Sequence, residues 1–308
     1  VTNATRFRAA EARLWHSVGV TPSERLLSLR RTGAQVRVLT VGQGAPAVFI
    51  HGASNAASSW VDLAARLPGR ECVLVERPGC GLSPRLPHPL RDPEGLRSFA
   101  ADFLVDVLDA MEVPTADVIA TSLGGFFALH GTAATPGRVR RLVTLGYSIG
   151  APIERVATMM RMSGVPGVGR LMARLTPPRA AIKPMLRQIG LRHAVDSGAF
   201  NDVMIDWFLS LLRDTPTMLN ELRDLPPVIL PLRGLNESVL LTDELLKRVE
   251  APTLMLWGRD DPFGGESVGR AFAPRLPNAL LEVVDGGHAP WIDNKDGIAE
   301  RVDSFLGA

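Results

Sequence analysis

Cysteine is nearly absent from this chain: Cys72 and Cys80 are the only two in 308 residues. With no C-x-x-C spacing and no histidine cluster beside them, they make neither a disulfide framework nor a metal site. Cys72 falls in an apolar, strand-like run, where a thiol behaves as a small buried hydrophobe. An excess of charge is missing too. Lys and Arg number 34 against 32 Asp and Glu, a net charge of +2, which is too weak a field to gather nucleic acid. No apolar run approaches the roughly 18 residues of a membrane span. The N-terminal stretch, with Arg6, Arg8, Glu11 and Arg13, lacks the apolar core of a signal peptide. No internal repeat is found. The simplest expectation is a soluble, cytoplasmic protein without a membrane span. A composition of 46% hydrophobic and 21% charged residues argues for a globular chain over a disordered one.

What is present is an alternation of short apolar runs and helical patterns. Ala9–Val18 reads as an outer amphipathic helix, and Arg25–Arg30 with Gln35–Val41 as a hairpin turning at Thr32-Gly33. The runs Ala47–Ile50, Cys72–Glu76, Asp117–Ala120, Val139–Leu145, Pro252–Gly258 and Ala279–Val284 are continuously apolar or nearly so, as in strands buried on both faces. Helical spacing recurs between them, at Ser59–Leu67, Ser98–Met111, Gly125–Ala134, Leu240–Val249, Ser267–Phe272 and Ile292–Leu306. This rhythm predicts an α/β protein with a mainly parallel sheet covered on both faces. It breaks between about Ser148 and Val239, where helical patterns and prolines hold seven of the nine methionines. A Met-rich helical insertion suits an adaptable apolar lid over a pocket.

The stretch Ala120-Thr121-Ser122-Leu123-Gly124-Gly125 is a strand, a serine, two glycines and a helix in succession, the setting of a nucleophile elbow. There the serine sits on a strained turn, and the residues two before and two after must be small. Two further residues follow strand ends: Asp261, with Asp260 competing for its place, and His288 after Gly286-Gly287. Ligands of open parallel sheets bind beyond such carboxyl ends. A serine hydroxyl needs an imidazole to take its proton, and the imidazole needs a carboxylate to fix its tautomer. The remaining histidines His16, His88, His130 and His193 lack this setting, and His51 is expected to buttress the loop that follows it. The N–H of Leu123, directly after the serine, and that of Ala53, after His51-Gly52, are the natural donors to an oxyanion.

Taken together, His51-Gly52, Arg77-Pro78-Gly79-Cys80-Gly81, the Ser122 motif, Gly258-Arg259-Asp260-Asp261 and Gly287-His288-Ala289-Pro290-Trp291 resemble the α/β-hydrolase superfamily in its lidded branch. The resemblance spans about Arg25 to Phe305. It implies an eight-stranded sheet flanked by helices, with residues 1–147 and 240–308 as the core and 148–239 as a helical cap. It also implies Ser122 as nucleophile, Asp261 as acid, His288 as base, and Ala53 with Leu123 as the oxyanion hole, with no cofactor and no metal. Ala120 stands in place of the first elbow glycine. Thr121 stands where relatives that hydrolyse carbon–carbon bonds typically carry Asn. The expected activity is esterase action on a small apolar substrate. The alternatives are carbon–carbon bond hydrolysis or another reaction of this scaffold (perhydrolase or lyase chemistry), and a binding protein without turnover. For a carbon–carbon hydrolase, a substrate carboxylate would need a cation, and Arg155, Arg161, Arg170, Arg174, Arg187 and Arg192 are candidates, although surface solvation is their ordinary role.

Overall fold

The computed structural model describes residues 3–156, 158–165, 167–223, 225–229 and 236–307. The expected hairpin is β1 (Ser23–Ser28) and β2 (Gln35–Val41), antiparallel, with Gly33 of the turn at φ 66°. The apolar runs become β3 (Ala45–Ile50), β4 (Arg70–Val75), β5 (Ala116–Ser122), β6 (Val139–Ser148), β7 (Thr253–Gly258) and β8 (Ala279–Val284). One eight-stranded sheet results, in the order β1-β2-β4-β3-β5-β6-β7-β8. From β4 to β8 all neighbours are parallel, and β2 joins β4 antiparallel. After β3 the chain steps outward to β4, then returns to the other side of β3 as β5. The gap between the ends of β3 and β5 is therefore a topological switch point, where a ligand crevice forms.

Side chains alternate across each strand, so one sheet feeds two cores. Val48 and Ile50 face the first, together with Phe99 and Phe103 of α3 (Pro93–Ala110) and Phe126 of α4 (Leu123–Ala134). Ala47 and Phe49 face the second. There they meet Phe7, Leu14 and Trp15 of α1 (Ala4–His16), Val61 and Leu63 of α2 (Val61–Ala64), and Val302 and Leu306 of the C-terminal helix.

Between β6 and β7 lie α5 (Thr158–Ser163), α6 (Val168–Met172), α7 (Arg179–Gln188), α8 (Arg192–Asp196), α9 (Asp202–Asp214), α10 (Thr217–Arg223) and α11 (Pro226–Ile229). No strand lies between them among the described residues. This insertion is not loosely attached, because Ile182, Trp207, Phe208 and Leu211 belong to the second core. Its methionines divide between roles: Met204 is buried and Met162 is half exposed, while the side chains of Met159 and Met160 lie outside the described residues.

Several helices differ from expectation. Helix α1 begins at Ala4, where the Asn3 side chain accepts the Arg6 N–H as an N-cap, and Asn3 N–H reaches Asp214 O of α9 at 2.7 Å. The C-terminal helix is two, α14 (Pro290–Asp293) and α15 (Lys295–Gly307), because Asn294 between them leaves the helical region at φ −137°. The region 240–249 is helical only over α12 (Asp243–Lys247), and α13 (Glu266–Phe272) follows β7. Among the described residues no helix is long and apolar enough to cross a membrane.

Candidate active site

Ser122 ends β5 and opens α4 with φ 53° and ψ −120°. A non-glycine residue held at such a φ costs about 1–3 kcal/mol, a strain that surrounding structure must impose. Here it is imposed by the direct passage from a buried strand into a buried helix. Gly124 shows how tight the passage is: a Cβ there would lie 2.1 Å from Ile50 O of β3. Ala120 is fully buried on the strand side. The small residue expected at Gly124 is thus required by backbone approach. Ser122 is nearly buried, and Gly52 of the neighbouring strand end packs against it, so that a Cβ on Gly52 would stand 2.9 Å from the Ser122 Cβ.

His288 and Asp261 meet beyond the ends of β8 and β7. His288 Nδ1 lies 2.8 Å from Asp261 Oδ2. The same Oδ2 accepts the Tyr147 N–H at 2.9 Å, and Oδ1 accepts the Phe263 N–H at 3.1 Å. Three donors replace the water that this buried carboxylate has lost. An Nδ1–H donated to Asp261 leaves Nε2 as the proton-accepting nitrogen, a tautomer assigned from the hydrogen-bond network. The Phe263 ring stands edge-on to the imidazole at 4.7 Å. Asp260 is exposed and faces His193 Nε2 at 3.1 Å. Among the described residues Ser122 Oγ has no hydrogen bond. Catalytic hydrogen bonds of unliganded enzymes commonly tighten only when substrate arrives.

The loop after β3 is fixed from behind. His51 is fully buried; its Nδ1–H donates to Gly52 O at 2.8 Å, and its Nε2 accepts the Arg77 N–H at 3.0 Å. Burial, with the Arg77 guanidinium adding to it, pushes this imidazole well below its ordinary pKa, so it stays neutral. Arg77 in turn donates Nε–H to His51 O and Nη2–H to Gly52 O. The Ala53 N–H has no acceptor among the described residues. Leu123, as the first residue of α4, has an N–H with no intrahelical partner.

Two contacts from the insertion were not legible beforehand. Gly190 O, after α7, accepts the His288 N–H at 2.9 Å. Glu221 Oε2, on α10, accepts the Ser54 N–H at 2.9 Å. Glu221 carried no sequence signal, being one acid among many on a helical stretch. Among the described residues no group of three or more His, Cys, Asp or Glu is arranged to hold a metal ion.

The model of the alpha/beta hydrolase family matches residues 47–301. A pimeloyl-[acyl-carrier protein] methyl ester esterase of Chromobacterium violaceum is 28% identical over 282 residues, covering 87% of this chain and 97% of the relative. A 2-hydroxy-6-oxo-2,4-heptadienoate hydrolase of Pseudomonas putida is 24% identical over 285 residues, covering 90% of this chain and 94% of the relative. Among solved structures, a carboxylesterase of Bacillus subtilis superposes with a TM-score of 0.76 at 19% identity, covering 98% of both chains. At that identity the superposition speaks for the fold alone.

Proposed function

This chain belongs to the alpha/beta hydrolase family, and from that premise we propose a cofactor-independent serine hydrolase that cleaves carboxylic esters with an apolar part. Ser122 Oγ attacks the ester carbonyl carbon while His288 Nε2 takes its proton. Asp261 holds the imidazole and compensates the cation that forms. The carbonyl oxygen, now negative, accepts the N–H groups of Ala53 and Leu123. The carbon–oxygen bond to the alcohol breaks, and His288 returns the proton to the leaving oxygen. Water, deprotonated by the same Nε2, then cleaves the acyl-enzyme and restores Ser122. Residues 148–239 act as the cap that excludes water and shapes an apolar pocket.

One observation carries this reading. A strained Ser122 stands at the switch point of the sheet, against Gly52, and the Asp261–His288 pair stands beyond the carboxyl ends of β7 and β8 of the same sheet, an arrangement that supports the reading. The 28% identical methyl ester esterase supports the ester class. The test is mass spectrometry after reaction with a fluorophosphonate, beside assays on p-nitrophenyl esters of increasing chain length. Modification at Ser122 with turnover, both lost in Ser122→Ala, is the expected result. Retained turnover in Ser122→Ala would sink the assignment, and absence of labelling would favour a binding protein.

Carbon–carbon bond hydrolysis is the second reading, favoured by the dienoate hydrolase relative. Against it, all six arginines named above in the insertion are exposed. The buried Arg77 is already engaged by two carbonyls and a carboxylate. Turnover of a dienol keto acid faster than any simple ester would reverse the preference.

A further inference from the structure

We propose that Glu221 is a positioning residue for the oxyanion loop, through which the helical insertion holds Ala53 N–H in its working orientation. The inference rests on the serine hydrolase reading and adds a residue to it. A peptide group is planar and trans, so the C=O of Gly52 and the N–H of Ala53 point in opposite directions as one rigid unit. Whatever fixes Gly52 O therefore aims Ala53 N–H. Arg77 Nη2 holds Gly52 O at 2.9 Å, and the same Nη2 is held by Glu221 Oε1 at 3.1 Å. The other oxygen of Glu221 takes the Ser54 N–H at 2.9 Å, although these residues are 167 apart in sequence. Ala53 thus sits between two fixed peptide groups: Glu221 holds the Ser54 N–H directly, and it steadies the Arg77 that, with His51 Nδ1–H, holds Gly52 O.

The environment of Glu221 fits this role. Its side chain is 1% exposed and that of Arg77 is 2%. A carboxylate and a guanidinium removed from water are tolerated only when their hydrogen bonds are met. Glu221 meets this with four donors: Arg77, Ser54, Cys80 Sγ–H at 3.2 Å and Asn220 Nδ2–H at 3.3 Å. Ser54 itself is held at φ 54°, a conformation that a free loop would leave. Because Glu221 lies on α10, displacing the insertion removes the Ser54 tether and leaves Arg77 without its carboxylate, so that His51 and an unsteadied Arg77 alone hold the loop. The oxyanion hole is held at its full rigidity only while the insertion is seated.

The test is Glu221→Gln, which keeps one acceptor oxygen and so cannot satisfy both tethers. Phosphorylation by diisopropyl fluorophosphate and kcat on p-nitrophenyl butyrate are expected to fall about tenfold or more, towards the roughly 10²–10³-fold loss that follows outright removal of an oxyanion donor. KM is expected to stay within about threefold, since ground-state binding does not use the hole. Hydrogen exchange at the Ser54 amide should accelerate in the variant. A folded variant with unchanged rates overturns the proposal, and so do slowed rates without faster Ser54 exchange, because the effect would then bypass the loop. Should Glu221→Gln fail to fold, exchange in the unaltered protein decides: a protected Ser54 amide supports the tether and an unprotected one refutes it. If the unaltered protein is not phosphorylated by the reagent, the serine hydrolase reading fails, while the exchange measurement still decides the tether.

Discussion

His288 Nδ1 sits 2.8 Å from Asp261 Oδ2, whereas the adjacent Asp260 turns outward to His193 at 3.1 Å. Two carboxylates one residue apart are thereby separated into a buried partner of the imidazole and an exposed partner of a surface histidine. Replacement should separate them as sharply. Asp261→Asn is expected to lower kcat by about four orders of magnitude, through loss of the tautomer that the proposed base requires. Asp260→Asn should leave kcat within about twofold, as a surface substitution does. Steady-state kinetics of both variants on one ester suffices, and the reverse ranking would reassign the acid.

The backbone strain at Ser122 is measurable without any substrate. Ser122→Ala keeps a Cβ at φ 53°, while Ser122→Gly removes it. The glycine variant is therefore expected to be more stable than the alanine variant, by about 1 kcal/mol once the entropy of a glycine in the unfolded chain is offset. Urea denaturation of the two inactive proteins makes the comparison. Equal or lower stability of the glycine variant would mean that the turn stores no strain.

Buried titratable groups give the stability curve a predictable shape. Burial, with Glu11 alongside, pushes the Glu76 carboxyl up from 4.5 to about 8, although Arg37 Nη1 stands 2.9 Å away. Between those pH values the folded chain holds a proton that the unfolded chain has released, so raising the pH costs stability. His51 and His130 act in the opposite sense. Burial lowers His130 from 6.5 to about 4 and holds His51 well below its ordinary value. Below 6.5 the unfolded chain takes up protons that these folded imidazoles refuse, so lowering the pH also costs stability. The three groups together place a maximum near pH 6.5. Glu76→Gln should abolish the decline between pH 6.5 and 8 and steepen the fall from pH 6.5 towards 4.5, where Glu76 had opposed the two imidazoles. Denaturation midpoints at several pH values check this, and an unaltered decline would assign it to other groups.

Much of this architecture could be read from residue order. Buried parallel strands must be apolar on both faces, so Val48, Val73, Val118, Val143 and Leu254 announced themselves as runs without alternation. Ser122, Asp261 and His288 stood out because each follows such a run, and the end of a run is local information. The early start of α1 and the break at Asn294 were not legible. The first depends on docking against α9 and the second on a single backbone dihedral.

What the sequence by itself determined is the order of strands and helices, the α/β class and the short set of residues able to carry the chemistry. Each follows from composition over a few neighbouring positions. Only the tertiary structure decided which aspartate turns to His288, that Tyr147 N–H and Phe263 N–H also hold it, and that Glu221 reaches Ser54 from the insertion. Those relationships depend on directions in space, between residues 27 apart for Asp261 and His288, 114 for Tyr147 and Asp261, and 167 for Ser54 and Glu221. Residue type fixes what a side chain can donate or accept, but not where the fold points it.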